Sequence, residues 1–335
     1  MAASDATERG TVRHRGGVRS GTLPRRLLTA CVGLALAAPL AAGAGAAPSF
    51  AATGEPAADA AATRTYRPTP ARATQDYPRY YDARSTLAPW AGRRCHADAA
   101  STRAVVCEFA TTTARHTIAL VGDSKMGMYA PALIRIAQAR GWRVLIMTKS
   151  ACSFSDASID RSGAAYPACD TWNRSALKAL ERHQPDLVVT NQYMSVGRLP
   201  GQTRATETAM EQGLASRWRT VQEMGIPVVV VLDNPGPPTG DVYPCVAKNP
   251  NRPWRCSFSA TSATAAVQQR AAARAGGVGI INLRPTLCPG GVCRAVFGDV
   301  LAYRQGSHLT NTYVKTITST ISSKLDVALR DARAR

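Results

Sequence analysis

Thr117-Ile118-Ala119-Leu120-Val121-Gly122-Asp123-Ser124 is the stretch on which the reading of this chain turns. It is a short run of β-formers that stops at a glycine, a residue that permits a tight turn. Tyr129, Leu133 and Ile136 then recur at helical spacing, so the stretch reads as strand, turn, helix. Ser124 therefore falls at a strand carboxyl end and a helix N-terminus together. Free N–H groups and the helix dipole favour a developing negative charge at such a point. A plainer role is open at the same residues, because Asp123 or Ser124 also suits a helix N-cap.

The same alternation continues outward. Arg143 to Met147, Asp186 to Thr190, Ile226 to Leu232 and Val278 to Leu283 read as further strands. Asp170 to His183, Thr206 to Met224 and Ala260 to Ala275 read as helices, and Val314, Ile317, Ile321, Leu325 and Leu329 put one apolar face on a last helix. Five near-continuous apolar strands alternating with helices predict a parallel sheet covered on both faces. Ligands of such sheets sit at the carboxyl ends of the strands. That is the edge on which Ser124 falls.

The N-terminus reads as an address. Six arginines precede the apolar run Leu27 to Leu40, and small residues follow, which is a secretory signal pattern over residues 1–52. Arg25-Arg26 hints at twin-arginine export, and an uncleaved anchor is the alternative to cleavage. Cys31 lies too early in the apolar run for a lipoprotein site. Residues 53–85, rich in Ala, Thr, Pro and Arg without an apolar period, read as a disordered spacer before a domain at 86–335. Folding is expected to begin around Tyr80 to Trp90. The first 52 residues contribute +4 of the chain's net +19 and leave +15 on the rest. Such a surface suits anionic cell-wall polymers, acidic glycans or lipid head groups, or is simply solvated. No Lys/Arg run with interleaved aromatics points to nucleic acid.

Eight cysteines remain after the signal in four local couples: Cys95 and Cys107, Cys152 and Cys169, Cys245 and Cys256, Cys288 and Cys293. An even count in an exported chain implies disulfides, and each couple brackets one loop-like stretch, so nearest-neighbour pairing is expected. Zinc is the rival, but Cys-x-x-Cys spacing and paired histidines are missing. No metal and no cofactor are expected.

A serine nucleophile needs a base. Beyond the signal the sequence holds His96, His116, His183 and His308. His96 abuts a disulfide loop, His116 precedes the first strand at its amino end, and His183 ends a helix. His308 follows the fifth strand, in Tyr303-Arg304-Gln305-Gly306-Ser307-His308-Leu309-Thr310, and is the candidate by elimination. A loop that merely caps the last helix is the plainer alternative.

Gly122-Asp123-Ser124 near the start of the domain and His308-Leu309-Thr310 near its end resemble the first and last blocks of the SGNH (GDSL-like) hydrolases. Val121 to Lys125, Lys149-Ser150-Ala151-Cys152, Gly298 to Arg304 and the cysteine couples resemble the SGNH domain often fused to family-3 membrane acyltransferases in bacteria. The resemblance covers roughly residues 90–330. It implies a three-layer α/β/α sandwich with a parallel, flavodoxin-like five-stranded sheet. It also implies acyl-ester chemistry, commonly on O-acetyl groups of cell-surface polysaccharide. The membrane acyltransferase is then either a separate partner or dispensable to a free-standing esterase. A monomer, secreted or held at the cell envelope, is the expected state.

By that resemblance Ser124 is the nucleophile, and the Ser124 amide and Asn191 hold the oxyanion. Ser150 or Ala151 stands where the family has a glycine donor. Where the family carries an aspartate three residues before the base, this chain has Gln305. An amide supplies a hydrogen bond but no charge, and in serine proteases that exchange lowers turnover about 10⁴-fold. Three readings stay open: a dyad oriented by Gln305 or a backbone carbonyl, another acid such as Asp299 or Asp233 reaching His308, or a weak or inactive glycan-binding adaptor. A structural cell-wall protein held by its charge is a further alternative. Lys125 and Lys149 flank the site and can meet substrate or solvent. Asp233 heads Asp233-Asn234-Pro235, which reads as a lip of the substrate groove or a polar turn.

Overall fold

The computed structural model describes residues 70–110 and 114–334. The expected signal segment and residues 53–69 of the expected spacer lie outside them. In chain order the main sheet contains β1 (His96–Ala97), β2 (Cys107–Ala110), β3 (Thr117–Gly122), β4 (Arg143–Lys149), β5 (Leu187–Asn191), β6 (Val228–Val231) and β7 (Val278–Ile281). Its central order is β4-β3-β5-β6-β7, all parallel. Taken in sequence order, those five strands run 2-1-3-4-5, the flavodoxin-like arrangement. The sheet has seven strands rather than the expected five. The two-residue β1 and the antiparallel β2 both pair with β4, end to end, and cover its outer edge. Covering that edge removes a row of unpaired backbone groups.

The helices are α1 (Pro70–Gln75), which packs on the strand Tyr303–Gln305, and α2 (Ser124–Ala139), α3 (Pro167–His183), α4 (Glu207–Glu223), α5 (Ala263–Ala275) and α6 (Thr318–Arg333). The α2 and α6 helices pack together against the sheet and are joined by the Arg140–Asp326 pair at 2.7 Å. The α4 and α5 helices form a second pair on the sheet. Side-chain caps set several starts: Thr206 accepts from Ala209 N–H, and Ser262 from Ala265 N–H. The single last helix expected from the sequence is two segments, Asn311–Thr316 and Thr318–Arg333, meeting at Ile317.

The four disulfides are Cys95–Cys107, Cys152–Cys169, Cys245–Cys256 and Cys288–Cys293. Cys95–Cys107 closes the loop between the two edge strands. Cys152–Cys169 ties the turn after β4 to the first turn of α3.

The spacer boundary expected at residue 85 lies too late. Residues 70–85 fold onto the domain, with α1, the 3-10 turn Arg79–Tyr81 and buried Tyr80. Asp76 accepts from the backbone N–H groups of Asn311 and Thr312, at 2.9 and 3.2 Å. The segment lacks an apolar period because its packing is carried by scattered residues, Ala73 and Tyr80 buried and Tyr77 and Tyr81 half-buried, rather than by an aliphatic stripe. Gly127 on α2 makes room for the tyrosines: a Cβ there would run into the hydroxyls of Tyr80 and Tyr81.

Candidate active site

The switch in strand order lies between β3 and β5, and both strands end there, at Gly122 and Asn191, which are register partners. Gly122 has φ +154°, and a Cβ on it would meet the main-chain oxygen of Asn191. Only glycine lets the two strand ends close up before the chain turns into α2. Asp123 takes the N-cap: its Oδ1 accepts from Lys125 N–H at 2.8 Å, and its Oδ2 from Tyr193 N–H at 2.8 Å. The cap role thus goes to Asp123, which leaves the Ser124 hydroxyl free for another partner.

That partner is His308. Ser124 Oγ and His308 Nε2 are 2.8 Å apart, across 184 positions of sequence. The histidine sits on a hairpin of β8 (Tyr303–Gln305) and β9 (His308–Leu309), in which Gln305 faces His308. The ring also hydrogen-bonds the Gln305 backbone, and this bond favours the protonated ring, so the backbone group is its acceptor, the carbonyl. Among the described residues no hydrogen bond or ion pair joins His308 to Asp299 or to Asp233, which is taken by Lys125 and Ser262. The backbone carbonyl is thus the orienting group with a contact to the ring; the adaptor reading is a separate matter. Burial, then the charges of Lys125 and Arg304, pull the ring down to about 3. His308 is therefore neutral, and able to accept a proton, over the whole physiological range.

Lys125, Lys149 and Asp233 differ from expectation. Lys125 and Lys149 are buried rather than solvent-facing, whereas Asp233 does line a groove of about 220 Å³ with Pro235 and Ser262, away from Ser124 and His308. Lys125 is fully buried, and its Nζ lies 2.7 Å from Asp233 Oδ1. It also donates to Ser307 O at 3.0 Å, Ser307 Oγ at 2.9 Å and Asn234 Oδ1 at 3.2 Å. Asn234 Nδ2 donates to the same Ser307 carbonyl at 2.7 Å. The residue after Ser124 thus holds the residue before His308, with the end of β6 as third support. A buried ammonium needs such a set of acceptors, which is why Lys125 turns inward. Asp233 accepts from Ser262 Oγ at 2.7 Å, so it is committed to structure. Lys149 is likewise buried and donates to the carbonyls of Asp98, Ala99 and Ser101 at 2.7–2.8 Å, closing the loop after β1.

Asn191 is fully buried. Its Oδ1 accepts from Gln192 N–H at 2.7 Å and Gln268 Nε2 at 3.0 Å, which fixes the amide orientation. Its Nδ2 has no partner among the described residues. After β4, Ser150 N–H is spent on Ala97 O. Ala151 follows with φ +49°, a conformation that glycine adopts without strain.

The fold brings three further residues to this edge: Tyr81, expected in the spacer, His96, set aside as a base, and Arg304, quoted in a family-like block without a role. Tyr81 donates from its hydroxyl to Ser124 O at 3.0 Å and stacks on His96, ring centroids 4.3 Å apart. His96 bonds Thr148 Oγ1 through Nδ1 at 2.9 Å and Ser150 Oγ through Nε2 at 3.2 Å. Arg304 is buried one residue before Gln305. The tyrosine cluster Tyr77, Tyr80, Tyr81 was the available signal for the first. For Arg304 the signal was the Gly298 to Arg304 block, and for His96 the histidine itself beside Cys95.

The family model described as "SGNH domain (fused to AT3 domains)" matches residues 94–322. The chain belongs to this SGNH family. Among solved structures, the SGNH chain is similar to the periplasmic domain of a Salmonella ser. Paratyphi A lipopolysaccharide acetyltransferase. The identity is 14%, the match covers 64% of this chain and 85% of that one, and the TM-score is 0.50, a likeness of fold. A looser likeness, with 15% identity and TM-score 0.35, is to a carbohydrate esterase family 2 enzyme from Corynascus thermopiles (Myceliophthora fergusii). It covers 64% of this chain and 68% of that one. No curated protein matches the chain. Four disulfides in this SGNH domain point to an oxidising, extracytoplasmic compartment. No helix among the described residues is long and apolar enough to cross a membrane, and no cluster of His, Cys, Asp and Glu there suits a metal ion.

Proposed function

We propose that the protein is an exported serine esterase or O-acyltransferase acting on O-acyl groups, O-acetyl above all, of cell-surface glycans. The observation that carries this reading is the 2.8 Å contact between Ser124 Oγ and a neutral His308 Nε2. In the reaction, Ser124 Oγ attacks the acyl carbonyl while His308 takes its proton. The Ser124 amide at the α2 N-terminus and the unspent Asn191 Nδ2 receive the oxyanion, with the turn at Ala151 beside them. His308 returns the proton to the leaving sugar oxygen, and the acyl group stays on Ser124. Water then gives hydrolysis; a second sugar hydroxyl gives transfer. A membrane acyltransferase is the natural acyl source for the transfer mode. Brief exposure to 4-nitrophenyl acetate tests the scheme: a nitrophenol burst and an acetyl group on the Ser124 peptide by mass spectrometry are expected. Absence of both sinks it.

The lowered histidine has a signed consequence. Protonated His308 cannot accept the serine proton, so activity is lost as pH falls through the ring's pKa. With the ring at about 3, kcat/KM for an aryl acetate holds its plateau well below the ordinary histidine value of about 6.5. Half-loss near 6.5 with the fold intact by circular dichroism would mean that burial and the neighbouring cations do not lower the ring, and would leave its role as base untouched.

A glycan-binding adaptor is the second reading, favoured by the missing carboxylate. The Gln305 carbonyl fixes the ring but leaves the imidazolium without a counter-charge. Gln305→Asp puts a carboxylate on the same hairpin position. It is expected to raise kcat by about tenfold or more, below the roughly 10⁴-fold ceiling of a full triad, and to move the acid limb to higher pH. No turnover by either form favours the adaptor.

A further inference from the structure

Beside the dyad lies a cavity of about 720 Å³, within the range of small-ligand sites. Its walls come from the folded segment after α1, the loops on either side of β1, the turn after β4 and the β8 strand. Four arginines line it, Arg84, Arg93, Arg94 and Arg304, against two carboxylates, Asp82 and Asp98. Both carboxylates are engaged. Asp82 accepts from Tyr77 hydroxyl at 2.8 Å and lies 3.8 Å from Arg94. Asp98 accepts from the backbone and hydroxyl of Ser101, at 2.8 and 2.7 Å. Arg84 donates to the Gly92 carbonyl at 2.6 Å. Among the described residues, Arg94 alone of the four arginines has a carboxylate partner.

Arg304 is the informative one. It is only 8% exposed, and its Nε is buried without a hydrogen-bond partner among the described residues. Its hydrogen-bonding neighbour is the Tyr81 hydroxyl, which carries no charge at neutral pH; the Asp76 carboxylate acts on it only from beyond ion-pair distance. A guanidinium taken from water without a carboxylate in direct contact is costly, and its planar fork matches a carboxylate or phosphate. The cavity is tied to the dyad on two sides. Tyr81, on its wall, bonds the Ser124 carbonyl, and Arg304 shares the β8–β9 hairpin with His308.

We infer that this cavity is a subsite for a saccharide unit bearing a carboxylate or phosphate, with Arg304 binding the anion and Arg93 attracting it at the rim. The place of the scissile ester beside it rests on the esterase reading above. Binding of the acidic unit does not. The preferred substrate is then an O-acylated acidic glycan rather than a neutral one.

The test compares kcat/KM for mono-O-acetylated methyl glycosides of glucose, glucuronic acid and glucose 6-phosphate at low salt. An advantage of about 10–100-fold is expected for one or both anionic sugars, the range of a charge-assisted hydrogen-bond pair. Which of the two wins separates carboxylate from phosphate. Arg304→Gln is expected to bring the ratio to within about threefold of unity. Arg93→Gln, on the exposed rim, should lower it in part and serves if the first variant does not fold. A parallel arm measures binding of the unacetylated glycosides to the Ser124→Ala protein by calorimetry. Equal kcat/KM for all three sugars, an unchanged ratio in the arginine variants, or equal binding of acidic and neutral glycosides overturns the subsite. No turnover of any ester, with selective binding of the acidic sugar retained, overturns the esterase reading and leaves the subsite standing.

Discussion

Ser124→Ala and His308→Ala should each lower kcat for an aryl acetate by about 10⁴–10⁶-fold, and the double variant should lose little more. The expectation follows from the two side chains acting as one unit. Without His308 the serine keeps its proton and is a poor nucleophile; without Ser124 the histidine has nothing to activate. Residual turnover over water would come from the oxyanion donors and binding alone. A double-mutant cycle in single-turnover kinetics measures the coupling. Strict additivity of the two losses would mean that the 2.8 Å contact has no part in the chemistry.

Lys125→Met should cost about 3–5 kcal/mol of stability, because it leaves Asp233 buried and unpaired. It should also lower kcat by about 10²-fold, the scale of a catalytic group displaced by about 1 Å. Lys125 acts here through His308, not on substrate. Its Nζ grips both oxygens of Ser307, the residue before the base. One readout separates positioning from mere stability. The Lys125 charge is the second-largest influence holding the His308 ring low. Its removal eases protonation, raises the ring's pKa and moves the acid limb of kcat/KM to higher pH. The double variant Lys125→Met, Asp233→Asn should recover much of the stability in urea unfolding, since no lone buried charge remains, while kcat stays low. An unmoved acid limb in a folded Lys125→Met protein would remove Lys125 from any part in tuning the base.

Much of the architecture was legible because its signals are local. The five central strands are runs of apolar β-formers between turn signals, and all of β3 and β5 is buried. The cysteine couples lie within 5–17 positions of each other, so the loop each brackets is visible in the chain. The edge strands were not legible, since β1 has two residues and its pairing with β4 depends on where the following loop travels. The tyrosine segment was assigned to the spacer because its contacts are long-range: Tyr81 reaches Ser124, 43 positions on.

At the site, the sequence by itself determined the position of Ser124, the candidate nucleophile, and its candidate base. A strand-glycine-helix junction puts Ser124 at the carboxyl edge of a parallel sheet whatever the rest of the chain does, and elimination among few histidines led to His308. The tertiary structure alone decided what orients the base and what the neighbouring lysine does. The ring is held by a main-chain carbonyl, a group that every residue carries, so the identity of residue 305 cannot announce it. Lys125 turns inward because Asp233, Asn234 and Ser307 converge on one buried point. Asn234 is 109 positions away and Ser307 is 182. The burial cost of an ammonium is offset only where such distant acceptors meet, and that meeting exists in the folded molecule and not in the order of its residues.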